Sequence, residues 1–193
     1  MPRTDIVIAS GQYFDFLNPG ASEIFVEDIA QSLSLICRFG GHTRDRRMYS
    51  VAQHSVLASY LVPPMYAVDA LMHDAAEAVL GDVVKPLKNL LADYRALEFT
   101  VEQALFTRFD VRFPLPDCVK HVDRVLLSTE QRDIAARHHG EWESTREVES
   151  LPDRIIPVSS DDAYEMFIAR YDELRPNDPS RRRATPRLRA EAA

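Results

Sequence analysis

The sequence predicts a compact all-α single domain, a helical bundle of five to six helices with at most a short hairpin at its start. Three observations predict it. Apolar residues recur every three to four positions in several separate stretches, glycines and prolines fall between those stretches and not inside them, and β-friendly residues cluster only before residue 22. With 193 residues and 46% hydrophobic content, the chain is about one domain long and has ample material for a single core.

The elements follow in order. Ile6, Val7 and Ile8, then Tyr13, Phe14 and Phe16, with the turn cluster Asn18-Pro19-Gly20, allow a short hairpin in an otherwise irregular segment 1–25. Ile29, Leu33 and Ile36/Cys37 space a first helix from Val26 to Arg38, stopped by Gly40-Gly41. Ser50 followed by Gln53 fits a capping box, so a second helix runs from Val51 until Pro63-Pro64 breaks it. A third helix, Met65 to Leu80, shows a broad apolar face and ends at Gly81, a residue suited to a left-handed cap. Leu90 to Phe109 is helical, with a break expected near Asp93; another helix spans Asp117 to Arg137, residues 138–158 read as irregular, and Ser160 caps a last helix striped by Tyr164, Phe167, Ile168, Tyr171 and Leu174. Residues 26–175 thus form the helical domain. The tail 176–193 lacks the apolar content to offset its ordering entropy and is expected to be disordered.

Charge and cysteine content exclude several classes. The net charge is −7, and the last stretch from Arg175 holds six arginines against Asp178 and Glu191, a balance of +4 that leaves −11 for residues 1–174. A decidedly acidic globular part is no nucleic-acid coat protein, because that binding rests on neutralising phosphates; only weak contact through the Arg-rich tail is expected. Two cysteines, Cys37 and Cys118, make no disulfide scaffold, the start reads as no signal peptide, and no apolar run approaches the ~18 residues of a membrane span. The expectation is a cytoplasmic protein, possible as a homo-oligomer, without membrane contact.

An all-α domain builds a site from side chains projecting between facing helices. His54 in the second helix, the adjacent His73-Asp74 in the third, and Asp123 in the helix after the double proline are the informative residues. Imidazole and carboxylate together suit a transition metal (Mn, Co, Zn, Fe or Ni), whereas an all-oxygen set would suit Mg or Ca. His73, Asp74 and Glu77 lie within one helical turn, amid Leu71, Met72, Ala75 and Ala76, where packing requires no ionisable group. A His-Asp pair on a helix also occurs as a surface hydrogen-bonding pair, and spacing alone leaves both readings open. Glu130, seven residues after Asp123 on the same helical face, reads equally as a support for a ligand His and as a surface carboxylate.

Context separates the two readings of the pair. The runs Tyr49-Ser-Val-Ala-Gln-His54-Ser, Ala70-Leu-Met-His73-Asp74-Ala-Ala-Glu77-Ala-Val-Leu-Gly-Asp82-Val-Val-Lys-Pro86-Leu-Lys88 and His121-Val-Asp123-Arg resemble the HD-domain metal-dependent phosphohydrolases. The likeness spans roughly residues 26–135. It is greatest to the branch of small nucleotide hydrolases that includes bacterial 5′-deoxynucleotidases and phage deoxyadenosine triphosphohydrolases. The resemblance implies the HD-domain fold and one divalent transition metal held by His54, His73, Asp74 and Asp123, with Mg²⁺ at a second site a further expectation. It implies that Glu77 positions or deprotonates the attacking water, that Asp82 and Lys88 line the sugar and phosphate part of the pocket, and that Arg38 and Phe39 contact the nucleotide. The stretch from Gly40 to Met48 departs from the shorter members.

The implied reaction is hydrolysis of a (deoxy)nucleotide phosphate, either removal of a 5′ phosphate or release of triphosphate. The alternative is a nucleotide-sensing or partner-binding protein without useful turnover. Arg38, Arg44, Arg46 and Arg47 against Asp45 would supply local positive charge for an anionic substrate, with Arg46 and Arg47 read as solvated. His42, His121, His138 and His139 are left out of the metal set. Trp142 reads as a loop anchor in preference to a base-stacking platform.

Overall fold

The computed structural model describes residues 3–137, 140 and 142–181, most of them helical. The hairpin forms: β1 (Asp5–Val7) pairs antiparallel with β2 (Tyr13–Asp15). Asp28 ties it to the bundle, one carboxylate oxygen accepting from the Ser10 amide at 2.5 Å and the other from the Phe25 amide at 2.9 Å. Helices α1 (Val26–Leu35), α2 (Val51–Leu61), α6 (Ala92–Arg108), α7 (Asp117–Asp133) and α8 (Ser160–Leu174) follow the predicted periodicities.

The third predicted helix is not continuous. It divides into α3 (Ala67–Met72) and α4 (Glu77–Leu80), and the amides of Ala75, Glu77, Ala78 and Val79 bond carbonyls three residues back, tightening the backbone across His73–Ala76. His73 contributes to the break: its Nδ1 lies 2.7 Å from the Ala70 carbonyl, which an unbroken α-helix would offer to the amide of residue 74. Such a mid-helix tightening is a recurrent mark of functional positions. Gly81 closes α4 at φ 79°, the positive value its place after Leu80 predicts. A short α5 (Lys85–Lys88) precedes α6.

Helix α2 is the centre of the body. It is buried on nearly every side, as an apolar helix without a polar stripe must be, and it packs against α1, α3, α7 and α8. Its cap is half of the predicted box: Ser50 accepts from the Gln53 amide at 3.2 Å, but the Gln53 side chain instead clamps the chain before α8, donating to Ile156 O and accepting from Val158 N. The cap of α8 is Ser159 and not Ser160, with its hydroxyl accepting from Asp162 N. Phe14, Ile29, Leu33, Val56, Leu71, Leu105, Phe106, Phe109, Phe167 and Tyr171 fill the main core.

Buried Arg170 on α8 joins α2 to α8. Its guanidinium lies 3.9 Å over the Tyr60 ring, donates to the Ser59 hydroxyl at 3.0 Å and carbonyl at 3.1 Å, and meets Glu173 at 2.8 Å. Arg170→Ala is expected to lower the unfolding free energy by about 2 kcal/mol or more, through a lost cation–π contact and buried acceptors left unpaired. Urea unfolding should show a lower midpoint at an unchanged slope.

The expected boundary at residue 176 falls too early. Ser180 O accepts from Val26 N, Tyr171 donates to Asp178, and the Arg181 fork meets Asp172 at 2.7 and 2.8 Å as well as Glu27, so residues 176–181 dock on α1 and α8. The rest of the expected tail, 182–193, lies outside the described residues, as do His138 and His139. Among the described residues no helix is long and apolar enough to cross a membrane.

Candidate metal centre

The chain leaving α1 and the chain entering α2 run side by side: Arg38 N donates to Tyr49 O at 2.9 Å, Val51 N to Ile36 O at 3.1 Å, and Cys37 bridges Ser50. This pairing sets Arg38 and Tyr49 beside the first turn of α2, which carries His54. All three point at Glu130 of α7. The Glu130 carboxylate has no exposure, and it accepts from His54 Nδ1 at 2.6 Å, from the Tyr49 hydroxyl at 2.8 Å and from Arg38 Nε at 3.1 Å. Burial pushes its carboxyl up, but Arg38 and His54 outweigh it and hold Glu130 ionised, down to about 2. Glu130 is therefore a support for a ligand-type histidine and not a surface carboxylate.

These contacts fix the tautomers. The Ala70 carbonyl can only accept, so His73 Nδ1 carries the hydrogen. Ionised Glu130 accepts from His54 Nδ1 in the same way. Each neutral ring is left with its lone pair on Nε2, and the two Nε2 atoms face each other at 3.2 Å. Asp123 Oδ1 stands 3.3 Å from His54 Nε2 and 3.9 Å from His73 Nε2; Asp74 Oδ2 stands 3.7 Å and 3.2 Å from the same two atoms. Atoms of His54, His73 and Asp123 all lie within 4.8 Å of one another. Two facing lone pairs with carboxylates on either side of them repel unless a positive charge sits among them.

In the bare protein that charge is a proton. Burial and Arg38 both pull His54 down, yet Glu130 and Asp123 outweigh them and lift it to about 9. Burial pushes the Asp123 carboxyl up, while the hydrogen bond and charge of His54, then His73 and Arg38, hold it below the carboxylate range. Counting Asp74, Asp123 and Glu130 against Arg38, with neutral imidazoles, the centre carries two net negative charges, which one divalent cation neutralises. The mixed imidazole–carboxylate donor set, with its outer Nδ1 hydrogens already anchored, fits a divalent transition metal.

Beside the centre is a cavity of about 200 Å³ lined by His73, Asp74, Ala76, Glu77, Lys88, Glu98 and Glu102. Glu77 is buried, its Oε2 has no hydrogen-bond partner, and Lys88 Nζ lies 3.8 Å from its Oε1 and 2.5 Å from Glu98 Oε1. Burial first, then Asp74 and Asp82, push the Glu77 carboxyl well above the carboxylate range. Half-buried Asp82 is likewise pushed up by burial, against the pull of Arg38.

The structure thus brings His54, His73 and Asp123 together, sets Asp74 beside the two histidines but outside the mutually close set, and places Glu77 and Lys88 on the adjoining cavity. Arg38 faces inward, its Nη1 3.5 Å from Asp74. Phe39, at φ 60°, has its ring 5.8 Å from the Trp142 ring and 5.8 Å from the Arg38 guanidinium carbon. The remainder of the Arg-rich segment does not join the centre: Arg46 and Arg47 are exposed, and Arg44 lines a different cavity. His42 and His121 are exposed. Sequence reasoning missed Tyr49 as a donor to Glu130, and Glu98 and Glu102 on the cavity wall. The last two leave a signal, since like charges four apart on one helix face disfavour the helix unless something else uses them.

No protein-family model matches the chain. It is 38% identical over 169 residues, 86% of this chain and 92% of the relative, to the uncharacterized protein YfdR of Escherichia coli K12. It is also 34% identical over 138 residues, 65% of this chain and 70% of the relative, to the uncharacterized protein RCAP_rcc00048 of Rhodobacter capsulatus.

Proposed function

The chain belongs to the same family as YfdR, and for it we propose a cytoplasmic, metal-dependent phosphohydrolase of the HD-domain type that acts on (deoxy)nucleotides. One observation carries the reading: His54, His73 and Asp123, from three stretches of chain, bring two imidazole lone pairs and a carboxylate together with Asp74 alongside, next to a cavity whose wall holds a buried carboxyl oxygen of Glu77 without a hydrogen-bond partner. His54, His73, Asp74 and Asp123 would hold the ion. When bound, a divalent cation supplies Lewis acidity to a phosphoryl oxygen and lowers the pKa of water from 15.7 toward ~7.

The chain's own groups do the rest. Glu130 and the Ala70 carbonyl hold both rings in the tautomer that leaves Nε2 free. Protonated Glu77 can hand its hydrogen to the departing oxygen as the P–O bond breaks, and the resulting carboxylate is stabilised by Lys88 at 3.8 Å. Lys88 offers its positive charge to the phosphoryl group. Among the described residues the cavity is lined by one lysine and no arginine, so the run of cations that a triphosphate would need is missing there, which favours release of a single 5′ phosphate.

A panel of deoxy- and ribonucleoside 5′-mono- and triphosphates, assayed with Mn²⁺, Co²⁺, Zn²⁺ or Mg²⁺ for release of phosphate, diphosphate and triphosphate, tests the reading. Phosphate release from a monophosphate is expected. Tight nucleotide binding without release of any product would replace the enzyme by a sensor. In the same assay Glu77→Ala should keep its metal, by elemental analysis, while turnover falls by about 10²- to 10⁴-fold.

A further inference from the structure

A second pocket, about 620 Å³ and wide open to solvent, shares no lining residue with the metal centre's smaller cavity. Asp123 and Glu130 mark the side of α7 that faces the centre, whereas Ser128, Gln131 and Arg132, which line the larger cavity, lie ~100 to 200° round the helix from Glu130. The centre and the larger cavity therefore flank α7 on different sides.

Its charge is unlike that of the protein around it. In a chain of net −7, this cavity is lined by Arg44, Arg132 and Arg137 with Ser128, Gln131 and Ser150, and among the described residues no carboxylate lines it. Arg132 is already engaged, its fork on Asp133 at 2.9 and 2.7 Å and its remaining hydrogens on the carbonyls of Leu151 and Asp153. Among the described residues neither Arg44 nor Arg137 has a carboxylate partner, so the cavity's positive charge is theirs to offer.

Arg44 is built in. Its amide donates to Ile134 O at 2.7 Å, Thr43 bridges Ala135, and Ala136 N donates to His42 O, so the backbone is zipped to the chain leaving α7. Its Nη2 bonds the Arg132 carbonyl at 3.1 Å, while its Nε is buried with no hydrogen-bond partner. A buried, unsatisfied donor on a charged group is rare, because its desolvation goes uncompensated. Asp45 and Arg46, which follow, sit at φ 60° and 55°, a left-handed conformation that non-glycine residues keep only where the surroundings impose it.

We propose that this cavity is a second ligand site, one that takes a multiply charged anion of the phosphate class, such as pyrophosphate or the phosphate tail of a nucleotide. Arg44 and Arg137 supply the charge and the hydrogen-bond donors. The site stands apart from the metal centre and is independent of whether that centre hydrolyses anything.

Calorimetric titration of the full chain, stripped with a chelator and kept free of divalent ions, tests it with sodium pyrophosphate, orthophosphate and a nucleoside triphosphate as separate arms. One saturable site is expected, at least tenfold tighter for pyrophosphate than for orthophosphate and weakening as salt rises. Equal affinity for pyrophosphate and the triphosphate would assign recognition to the phosphates alone; tighter triphosphate binding would extend it to the nucleoside, and both support the site. Arg44→Gln and Arg137→Gln should each weaken pyrophosphate at least tenfold, and exposed Arg137 keeps the test available if the Arg44 variant does not fold. Asp74→Ala should leave pyrophosphate binding unchanged. No saturable binding at millimolar pyrophosphate, or binding that Arg137→Gln leaves intact and Asp74→Ala removes, would overturn the proposal.

Discussion

Replacing Asp74 with alanine is expected to empty the cation site and abolish turnover while the protein stays folded. The Asp74 carboxylate is the group nearest to His73 Nε2 from outside the ring pair apart from His54, at 3.2 Å, and it also receives Arg38 Nη1 at 3.5 Å. Removing it takes one of the two negative charges that a divalent ion balances, and it frees the Arg38 guanidinium to repel the incoming cation. Lewis-acid assistance is worth several kcal/mol, so its loss should cost about 10³-fold or more in rate. Stability should change little, because the Asp74 side chain keeps 19% of its exposure and its loss opens no apolar cavity. His73→Ala should act in the same direction. Metal content per chain by elemental analysis, rates on the nucleotide panel and a thermal melt read the three effects separately. Full turnover in Asp74→Ala would mean that the reaction, if present, belongs to another part of the molecule.

The elements that were legible in the sequence are those decided by local chemistry. Spacing of apolar residues and the breaks at Gly40-Gly41 and Pro114/Pro116 suffice for α1, α6, α7 and α8, because a helix that must bury one stripe writes that stripe into its sequence, whereas α2, apolar nearly all round, is legible from its Ser50 cap and the Pro63-Pro64 break. The break within residues 65–80 was not legible. It arises from a side chain, His73, competing for a backbone carbonyl, and no propensity rule registers that contact. The ligand-type residues were legible as residue types in order, since ionisable groups amid Leu71, Met72, Ala75 and Ala76 need a reason to be there. What surrounds them was not. Tyr49 and Arg38 reach Glu130 only because two chain segments pair at Cys37 and Ser50, and Glu130 sits 76 residues from the histidine it supports. The arginines of residues 38–47 divided for a similar reason: Arg38 turns inward to Glu130, while the pairing of Thr43 with Ala135 swings Arg44 round to another face of α7. One charge run thus serves two places, a division set by tertiary pairing alone.

Glu130 offers the largest expected effect on stability. Glu130→Ala would leave the Arg38 guanidinium, His54 Nδ1 and the Tyr49 hydroxyl facing a void, and breaking a buried ion pair by removing one partner costs ~3 to 5 kcal/mol. The depression of the Glu130 carboxyl from 4.5 to about 2 corresponds to roughly 3 kcal/mol, in agreement with that range. Its folded-state pKa lies below the unfolded one, so this contribution is fully present above about pH 4.5 and is lost as pH falls through about 2. Denaturant unfolding of chelator-treated wild type and Glu130→Ala should therefore differ by several kcal/mol at pH 7, with the gap constant down to about pH 5 and closing below it. Glu130→Gln keeps the volume but presents an amide N–H to a cluster of donors, and should fall between the two. Because Glu130 sets the tautomer and basicity of His54, Glu130→Gln should also weaken cation binding about 10- to 100-fold at neutral pH, an effect on the metal that a purely architectural carboxylate would not have. A variant as stable as wild type and with unchanged metal affinity would remove Glu130 from the centre, and with it the tautomer argument that points both imidazole lone pairs at one cation.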